Sequence, residues 1–311
     1  MSKKFRLEED LQAIYAAIQY LQHERSTVDI SEELGISRFM VGRMIKRARE
    51  DGLIEVVPRL PDPVNTDLSK ALTRKYGLDS AVVVVPPADS DDRVRTVVAA
   101  IAARLIAELI EEDDIVGLGP GRTIVETCAL ISEVPTCDVV QLTGVATSDP
   151  ASHLNAIMQL SSVAKGRMFP LHAPFVTTDL ASARTIAAQP PIKQALQRMN
   201  RLDKSVLTVG GWPQSSLLAT QLDELGELAP LLDQGVAAEI GTTLLDTNGR
   251  ELHTLDGRLI GLSTEQLSNV PVRVALGGGP GKQLAVLAVL RSGLADIVVT
   301  DEHTARIAIE A

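Results

Sequence analysis

Two glycine-rich segments have the composition of anion-binding loops. GLGPGRT, residues 117–123, follows an apolar run and opens a helical pattern, and GGGPGK, residues 277–282, repeats this arrangement near the C-terminus. Glycine lets the backbone approach a phosphate, and the N-terminus of the following helix offers N–H groups and a favourable dipole. Lys282 ends the second segment and is a natural counter-charge. Tight strand-to-helix turns also need glycine, so each segment alone is ambiguous, but together they indicate a phosphorylated small ligand.

Nucleotide and metal sites are not indicated. GLGPGRT lacks the lysine of GxxxxGK[ST], and no acidic residue ends a strand at the dinucleotide spacing, so the pattern disfavours NTP and NAD. The two cysteines, Cys128 and Cys137, lie nine residues apart without clustered histidines, which is not a zinc-ligand spacing. We therefore expect two buried free thiols, no cofactor and no metal.

The elements that would position the glycine loops are strands alternating with helices. Apolar runs begin near residues 81, 114, 138, 205, 235, 271 and 296, and the run at 235 leads into a hairpin-like turn at Asn248 and Gly249. Helical patterns cover about residues 91–111, a stretch after Arg122, and about 151–165. Continuous Val/Ile/Leu runs between helices predict an α/β fold, Rossmann-like, with a mainly parallel sheet covered on both faces. Ligands of such sheets bind beyond the carboxyl ends of the strands, where both glycine loops would lie.

The first 60 residues have a helical pattern instead. A first helix, about residues 8–22, is predicted from an apolar stripe of Leu7, Leu11, Ile14, Tyr15, Ile18 and Leu21. A short second helix follows and ends at Gly35, and Ser37 is the predicted N-cap of a third helix that runs to about Asp51. The core-facing residues of the third helix would be Met40, Val41, Met44, Ile45 and Ala48. This order predicts a helix-turn-helix, and GLIEVV, residues 52–57, has the pattern of the short strand of a winged variant.

The remaining face of the third helix is cationic. Its predicted DNA-contacting residues are Ser37, Arg38, Phe39, Arg43, Lys46 and Arg47, and Arg49 lies on the same face. Arg38, Phe39 and Arg43 are near enough to the helix N-terminus to reach base edges, whereas Lys46, Arg47 and Arg49 would meet phosphates. The alternative is that these side chains only solvate an exposed helix face.

Charge divides the chain in the same place. The whole sequence has 30 Lys and Arg against 40 Asp and Glu, and residues 1–60 contain ten of each kind, so the net charge of −10 belongs to the remainder. The proline-rich stretch PRLPDPVNTD, beginning at Pro58, predicts a stiff linker. We expect a DNA-binding domain at residues 1–57, a linker at 58–66 and an effector and oligomerisation domain at 67–311. No apolar run suits a membrane span or signal peptide, so a cytoplasmic protein is expected.

Several motifs together resemble the SorC family of bacterial sugar-responsive transcriptional regulators. They are GLGPGRT, VVQLTGV, LHAPFVTTD, TVGGWP, LLDTNGREL and GGGPGKQLAVLAVLRSGLADIVVTDEHTA, in an order that covers essentially the whole chain. The resemblance implies a DNA-binding domain like region four of sigma factors and an effector domain with the fold of sugar-phosphate isomerases and deaminases. It also implies a homo-oligomer, a dimer or commonly a tetramer, on palindromic or repeated operator DNA.

The resemblance also implies an effector site. It places the ligand phosphate at Gly119, Gly121, Arg122 and Thr123, with Lys282 as cation, and sugar hydroxyls at Glu239. Thr143 stands where some relatives have an arginine for a second phosphate or a Schiff-base lysine, and threonine can do neither. His153 is a candidate ligand contact, although a lone histidine is more often a structural donor. Asp301 and Glu302 are expected first as a helix cap and its neighbour.

Two enzymatic alternatives remain open at this point. A phosphosugar isomerase or deaminase would need a positioned acid/base pair, and its candidates near the loops are Glu239, Asp301 and His303. A metabolic enzyme could also keep the helix-turn-helix only for dimerisation, and it would then show no salt-dependent affinity for DNA. No tight acid/base motif joins the three candidates, so we favour ligand binding without turnover. The expected mechanism is reciprocal coupling between a sugar effector and the operator.

Overall fold

The chain forms two compact units, residues 1–59 and 60–311. The structure, a computed structural model, describes residues 6–55, 63–145 and 150–311, apart from the side chains of 150–153. Residues 58–62 of the predicted linker lie outside the described residues. The backbone N–H of Asn65 donates to the carbonyl of Val83 over 2.8 Å, and the Asn65 side chain accepts from the N–H of Leu68. The chain from residue 63 onward is therefore held by the second unit.

The N-terminal unit has the predicted helix-turn-helix order. Its described helices are α1 (Arg6–Leu21), α2 (Thr27–Leu34) and α3 (Arg38–Glu50). Ser26 and Asp29 form a capping box at the start of α2, and Gly35 ends α2 with a φ of +63°. The Ser37 hydroxyl accepts from the N–H of Met40 and caps α3. The end of α2 at Gly35 and the cap of α3 at Ser37 agree with the sequence prediction.

The buried face of α1 is not the predicted apolar stripe. Leu7 and Leu11 are 69% and 57% exposed, and the side chains that α1 buries are those of Ala13, Ala16 and Ala17. Small side chains let two helices approach closely, so the alanine face packs on α3, while the leucines of the stripe are exposed and Ile14 and Ile18 are only half-buried. The stripe prediction was wrong because spacing alone does not tell which of two apolar faces meets the core.

Two further details of the N-terminal unit differ from expectation. Met40 is exposed, whereas Val41 and Ala48 are buried as expected and Met44 is half-buried. Residues 52–55 form no strand, and residues 56–57 lie outside the described residues. The backbone N–H groups of Leu53 and Ile54 donate to the carbonyl of Ala48, so this stretch ends α3 and does not begin a wing there.

The C-terminal unit alternates strands and helices. Its described strands are β1 (Ser80–Val84), β2 (Ile115–Leu118), β3 (Asp138–Gln141), β4 (Met168–Phe169), β5 (Lys204–Gly211), β6 (Val236–Ile240), β7 (Thr243–Asp246), β8 (Glu251–Leu252), β9 (Val272–Leu276) and β10 (Ile297–Asp301). Its described α-helices are α4 (Thr66–Tyr76), α5 (Asp91–Leu109), α6 (Arg122–Leu130), α7 (Pro150–Ala164), α8 (Leu180–Ala187), α9 (Pro190–Arg198), α10 (Leu217–Glu224), α11 (Leu228–Asp233), α12 (Thr264–Ser268), α13 (Gln283–Ser292) and α14 (Glu302–Glu310).

The sheet is mostly parallel, as predicted. Its order is β1-β10-β9-β5-β2-β3-β4 with parallel neighbours, and β6, β7 and β8 extend from β5 as antiparallel strands. The apolar run at residue 235 is interrupted at Gly241, where φ is +59°, so it forms two strands and not one. The expected turn at Asn248 and Gly249 lies between β7 and β8, and Asp246 accepts the backbone N–H of Asn248.

Helices cover both faces of this sheet. One core joins residues of α4, α9, α13 and α14 to one side of the strands, and a second joins α5, α6 and α7 to the other. Neighbouring strand residues divide between them, as Val206 and Leu207 do on β5. Because β9, β5 and β2 are adjacent and parallel, their carboxyl ends bring both glycine loops to one edge of the sheet.

Candidate functional site

The N-terminal unit presents a cationic helix face. Phe39 is 72% exposed, and the guanidinium of Arg38 lies 5.2 Å from the centre of its ring. Arg43 and Lys46 are also exposed on α3, and Lys46 forms a 3.5 Å pair with Glu50, one turn away. A residue advances by about 100° around a helix, so Phe39, Arg43 and Lys46 share the side opposite the buried residues. This face has the cations and the planar donors that DNA recognition uses.

Arg47 occupies a different position on the same helix. Its guanidinium pairs with Asp10, with Glu9 at 3.4 Å and with Asp51 at 3.1 Å. One step of the helix turns Arg47 from the side of Lys46 towards Glu9 and Asp10 of α1, and Asp51 follows one turn later at the end of α3 itself. The structure therefore separates Arg47 from the cationic face to which the sequence pattern assigned it.

The C-terminal unit contains a cavity of about 440 Å³ at the carboxyl edge of its sheet. Both glycine loops contribute to its wall, and so do the end of β5 and the segment before α10. The lining residues are Arg95, Pro120, Gly121, Arg122, Thr123, Val125, Thr208, Val209, Gly210, Gln214, Ser215, Ser216, Leu217, Thr220, Glu239 and Lys282. The predicted residues Gly121, Arg122, Thr123, Glu239 and Lys282 thus meet in one place.

The first glycine loop leads directly into a helix at the cavity. Gly121 has a φ of +127°, and a Cβ there would lie 2.7 Å from Oγ1 of Thr208, so this position requires glycine. Thr208 Oγ1 donates to the carbonyl of Pro120 and ties the loop to β5. Arg122 and Thr123 begin α6, and the first turn of a helix presents N–H groups to an anion.

The second glycine loop is held by a buried carboxylate. Asp301 accepts the backbone N–H of Gly279 over 2.8 Å, together with the N–H and hydroxyl of Thr304. Asp301 is therefore the N-cap of α14, as expected, and it also ties the loop to that helix. Lys282 follows the loop at the N-cap of α13, and burial lowers the pKa of its ammonium group, partly offset by the charge of Asp91. An anion in the cavity would pair with the lysine and so offset the cost of burying its positive charge.

Glu239 lies at the polar wall of the cavity with its carboxylate tethered. Its Oε2 accepts from Nε1 of Trp212 over 2.9 Å and from the hydroxyl of Ser216 over 2.6 Å. A Cβ on Gly210 would lie 2.7 Å from Oε1, so the glycine leaves room for the carboxyl group. Burial raises the pKa of Glu239 to about 7, against the lowering effect of the two side-chain hydrogen bonds. The group can accept hydrogen bonds from ligand hydroxyls, or donate one when protonated.

Two predicted site residues, Gly119 and Thr143, are not among the described residues that line this cavity. Gly119 packs behind the loop, where a Cβ would lie 2.6 Å from the Leu207 side chain. Thr143 is buried, its carbonyl accepts from the amide of Gln141, and it bridges to Gly261, so its place is structural. The side chain of His153, on α7, lies outside the described residues.

Sequence reasoning also missed several cavity residues. Arg95 lies on α5, far from both glycine loops in sequence, and Ser216 belongs to a loop whose pattern gave no sign of a site. Trp212 holds the Glu239 carboxylate but is not among the lining residues, and its only signal in the sequence is its place in the motif TVGGWP. Thr208, a polar residue in the second half of the buried strand β5, was the available signal, because ligands bind near the carboxyl ends of such strands.

Some other features bear on the possible chemistry. Cys128 and Cys137 are buried free thiols, as expected, and burial raises their pKa values to about 12 and about 11. Within the described residues, no group of His, Cys, Asp or Glu is arranged to hold a metal ion. None of the helices in the described ranges is long and apolar enough to cross a membrane.

A helix-turn-helix and an α/β unit with a cavity lined in part by arginine and lysine, in one chain, define the class of ligand-responsive DNA-binding proteins. A family model described as "Putative sugar-binding domain" matches residues 64–310. The deoxyribonucleoside regulator of Bacillus subtilis is 26% identical over 303 residues, which cover 94% of this chain and 96% of that protein. Transcriptional regulator LsrR of Escherichia coli K12 is 24% identical over 282 residues, 89% of this chain and 87% of that protein.

A solved structure is similar over nearly the whole chain. The full-length sorbitol operon regulator SorC from Klebsiella pneumoniae matches with a TM-score of 0.72 and 20% identity, covering 97% of this chain and 99% of that one. This likeness shows a shared fold. With the sugar-binding domain matched over residues 64–310, the chain belongs to the SorC family of transcriptional regulators.

Proposed function

We propose that this protein regulates transcription of a carbohydrate catabolic operon and that a phosphorylated sugar bound in the cavity controls its affinity for operator DNA. The observation that carries this proposal is the meeting of Lys282, the start of α6 and the buried Glu239 around one cavity. The cation and the helix N-terminus suit a phosphate, and the carboxyl group suits sugar hydroxyls. Two relatives named above are a deoxyribonucleoside regulator and a sorbitol operon regulator, and these names support the control of carbohydrate genes.

The exposed face of α3 is the proposed contact with operator DNA. Arg38, Phe39 and Arg43 would reach base edges, and Lys46 would meet a phosphate. The Ser37 hydroxyl, which caps α3, lies at the same end of the helix and would contact the backbone of the DNA. In this proposal Arg47 holds α3 on α1 and does not contact a phosphate, because three carboxylates already surround it.

We propose a homo-oligomer, a dimer or a tetramer, acting in the cytoplasm. Two recognition helices of a dimer would read half-sites about 34 Å apart, or multiples of this distance. Leu7, Leu11 and Leu21 on the exposed side of α1 offer an apolar surface for contacts between copies. A ligand that changes how the copies pair would change the spacing of the recognition helices, and by linkage the operator would change ligand affinity equally.

Catalysis is not part of the proposal. Glu239 is the sole carboxylate among the described lining residues, and no histidine is among them. Asp301, the second candidate, has its oxygens occupied by Gly279 and Thr304, and His303 is exposed outside the cavity wall. An acid/base pair for isomerisation would need two such groups close to the bound sugar.

The experiment is a DNA-binding titration with and without candidate effectors. Fluorescence anisotropy would measure the Kd for labelled DNA from upstream of the gene's own operon, at several salt concentrations. Each phosphosugar would be compared with its unphosphorylated counterpart. We expect log affinity to fall linearly with log salt and only a phosphorylated sugar to shift the Kd. Salt-independent DNA binding, or turnover of a phosphosugar by the protein alone, would contradict the proposal.

A further inference from the structure

One carboxylate lies between the two glycine loops beside the cavity. Asp91 is the first residue of α5, and its Oδ2 is 2.8 Å from Nη2 of Arg122 and 3.1 Å from Nη1 of Arg95. Both arginines line the cavity. The other oxygen of Asp91 lies 3.7 Å from the point that a Cβ on Gly279 would occupy, so the carboxylate adjoins the second loop as well.

These contacts resemble the coordination of a bound anion. One oxygen shared by two guanidinium groups is an arrangement that arginines also offer to a phosphate oxygen. Burial lowers the pKa of Lys282, and the charge of Asp91 is the main opposing influence. Asp91 therefore acts electrostatically on all three cations of the cavity, Arg95, Arg122 and Lys282.

The cations at this end of the cavity are already matched by carboxylates. Arg95 pairs with Asp92 at 2.7 Å and with Glu126 at 2.5 Å, in addition to Asp91. Asp92 is 78% exposed and lies as far as 3.9 Å from Arg122, and within the described residues the ion pair of Glu126 is with Arg95. Asp91 is thus the carboxylate that closely bridges both arginines. An added phosphate gains less from a balanced cluster than from unpaired cations.

We propose that Asp91 is an internal counter-anion of the effector site, which holds Arg122 and Arg95 in the free protein and competes with the effector phosphate for them. The inference rests on the proposed function, because it requires an anion in this cavity. Competition weakens the binding of every anion, and the effect grows with the charge of the anion because Asp91 repels each of its charges.

The alternative role of Asp91 is to position Arg122 for the ligand, and neutral replacements separate the two. We would titrate the full chain with inorganic phosphate at constant ionic strength and follow the melting temperature, since a ligand of the folded state raises it. If Asp91 competes, Asp91→Asn and Asp91→Ser should bind phosphate about fivefold more tightly than the wild type, because one nearby negative charge is gone. Asp91→Glu keeps the charge and should stay within about twofold of the wild type.

A matched control is Asp89→Asn, which removes the same charge from an exposed residue of the preceding segment. It should leave phosphate affinity unchanged, because exposed charges are screened within about 8 Å at physiological salt. Equal or weaker binding by both neutral variants, beside a wild type that binds phosphate, would overturn the inference and leave the proposed function standing. A wild type that does not respond to phosphate or to any phosphosugar would overturn both.

Discussion

The two units differ in whether their functional arginines are paired with carboxylates. On α3, Arg38 and Arg43 are exposed and form no ion pair with a carboxylate of the described residues. In the C-terminal unit, Arg95 and Arg122 at the cavity are each paired with Asp91. A polyanion needs a row of available cations, whereas a small anion needs a few cations held in a shaped site. Position relative to acidic neighbours, more than the number of arginines, distinguishes the two surfaces.

Removing the cavity's lysine should have the largest effect. Lys282→Ala is expected to weaken phosphosugar binding by about 100-fold, because a charge-assisted hydrogen bond in a partly desolvated site is lost. Isothermal titration calorimetry would measure the affinity, and Lys193→Ala, an exposed lysine of α9, is the control. Retained affinity in Lys282→Ala would mean that the phosphate lies elsewhere. The cations of this cavity would then not be those that bind the small anion, which would contradict the comparison for the C-terminal unit.

A pH series would test the burial of Glu239. Its pKa of about 7 in the folded protein exceeds the ordinary glutamate value of 4.5, so the folded state holds the proton more tightly. Its contribution to stability is therefore complete below about pH 4.5 and is lost as the pH rises through about 7. Glu239→Gln should reduce the fall in unfolding free energy between about pH 5 and 8 by about 2 kcal/mol in urea denaturation. Glu265→Gln, at an exposed position, should leave the fall in unfolding free energy unchanged. Equal pH profiles for the wild type and Glu239→Gln would show that the carboxyl group of Glu239 is solvated.

Replacing an exposed arginine should affect DNA alone. Arg43→Ala should weaken operator binding by about tenfold and reduce the preference over unrelated DNA, since a base contact contributes roughly 1–3 kcal/mol. Lys46→Ala should instead weaken binding to both DNAs alike and reduce the salt slope by about one. Anisotropy titrations on both DNAs would distinguish the two. Unchanged operator affinity in Arg43→Ala would remove this face from the DNA-binding site.

The smallest effect is expected at Arg47. Because its ion pairs with Glu9, Asp10 and Asp51 are partly exposed and screened by solvent, Arg47→Ala should lower local stability only slightly. Hydrogen exchange at the amides of α1 and α3 would detect this, with operator affinity within about twofold of the wild type. A loss of operator affinity without faster exchange would restore Arg47 to the DNA contacts that the sequence pattern predicted.

Much of the architecture was predictable because it rests on short-range rules. Gly35 and Ser37 mark the ends of two helices through their own backbone conformation and hydrogen bonds, which need no distant partner. The continuous apolar runs of β2, β5 and β9 predicted a covered parallel sheet, and the glycine loops after β2 and β9 followed from that. Five predicted residues accordingly meet at the cavity.

The sequence did not predict which face of a helix is buried or which residues from distant parts of the chain become neighbours. Leu7 and Ala13 both lie on apolar sides of α1, and only packing against α3 shows that the alanine side is inside. Arg47 follows Lys46 in a cationic stretch, but two of the three acids that pair with it, Glu9 and Asp10, come from α1, and Asp10 lies 37 residues earlier. No local pattern could place Arg95 at the cavity, because the packing of α5 against the sheet determines where this residue lies.

By itself, the sequence of this protein determined its division into a helix-turn-helix unit and an α/β unit, the glycine turns and most helix limits. These depend on side-chain periodicity and on the conformational freedom of single residues. The tertiary structure alone decided which arginines stay available to DNA, which carboxylates occupy the cavity's cations, and how Glu239 becomes buried beside Trp212 and Ser216. Charge balance and burial depend on groups that are far apart in the chain and meet only when it folds.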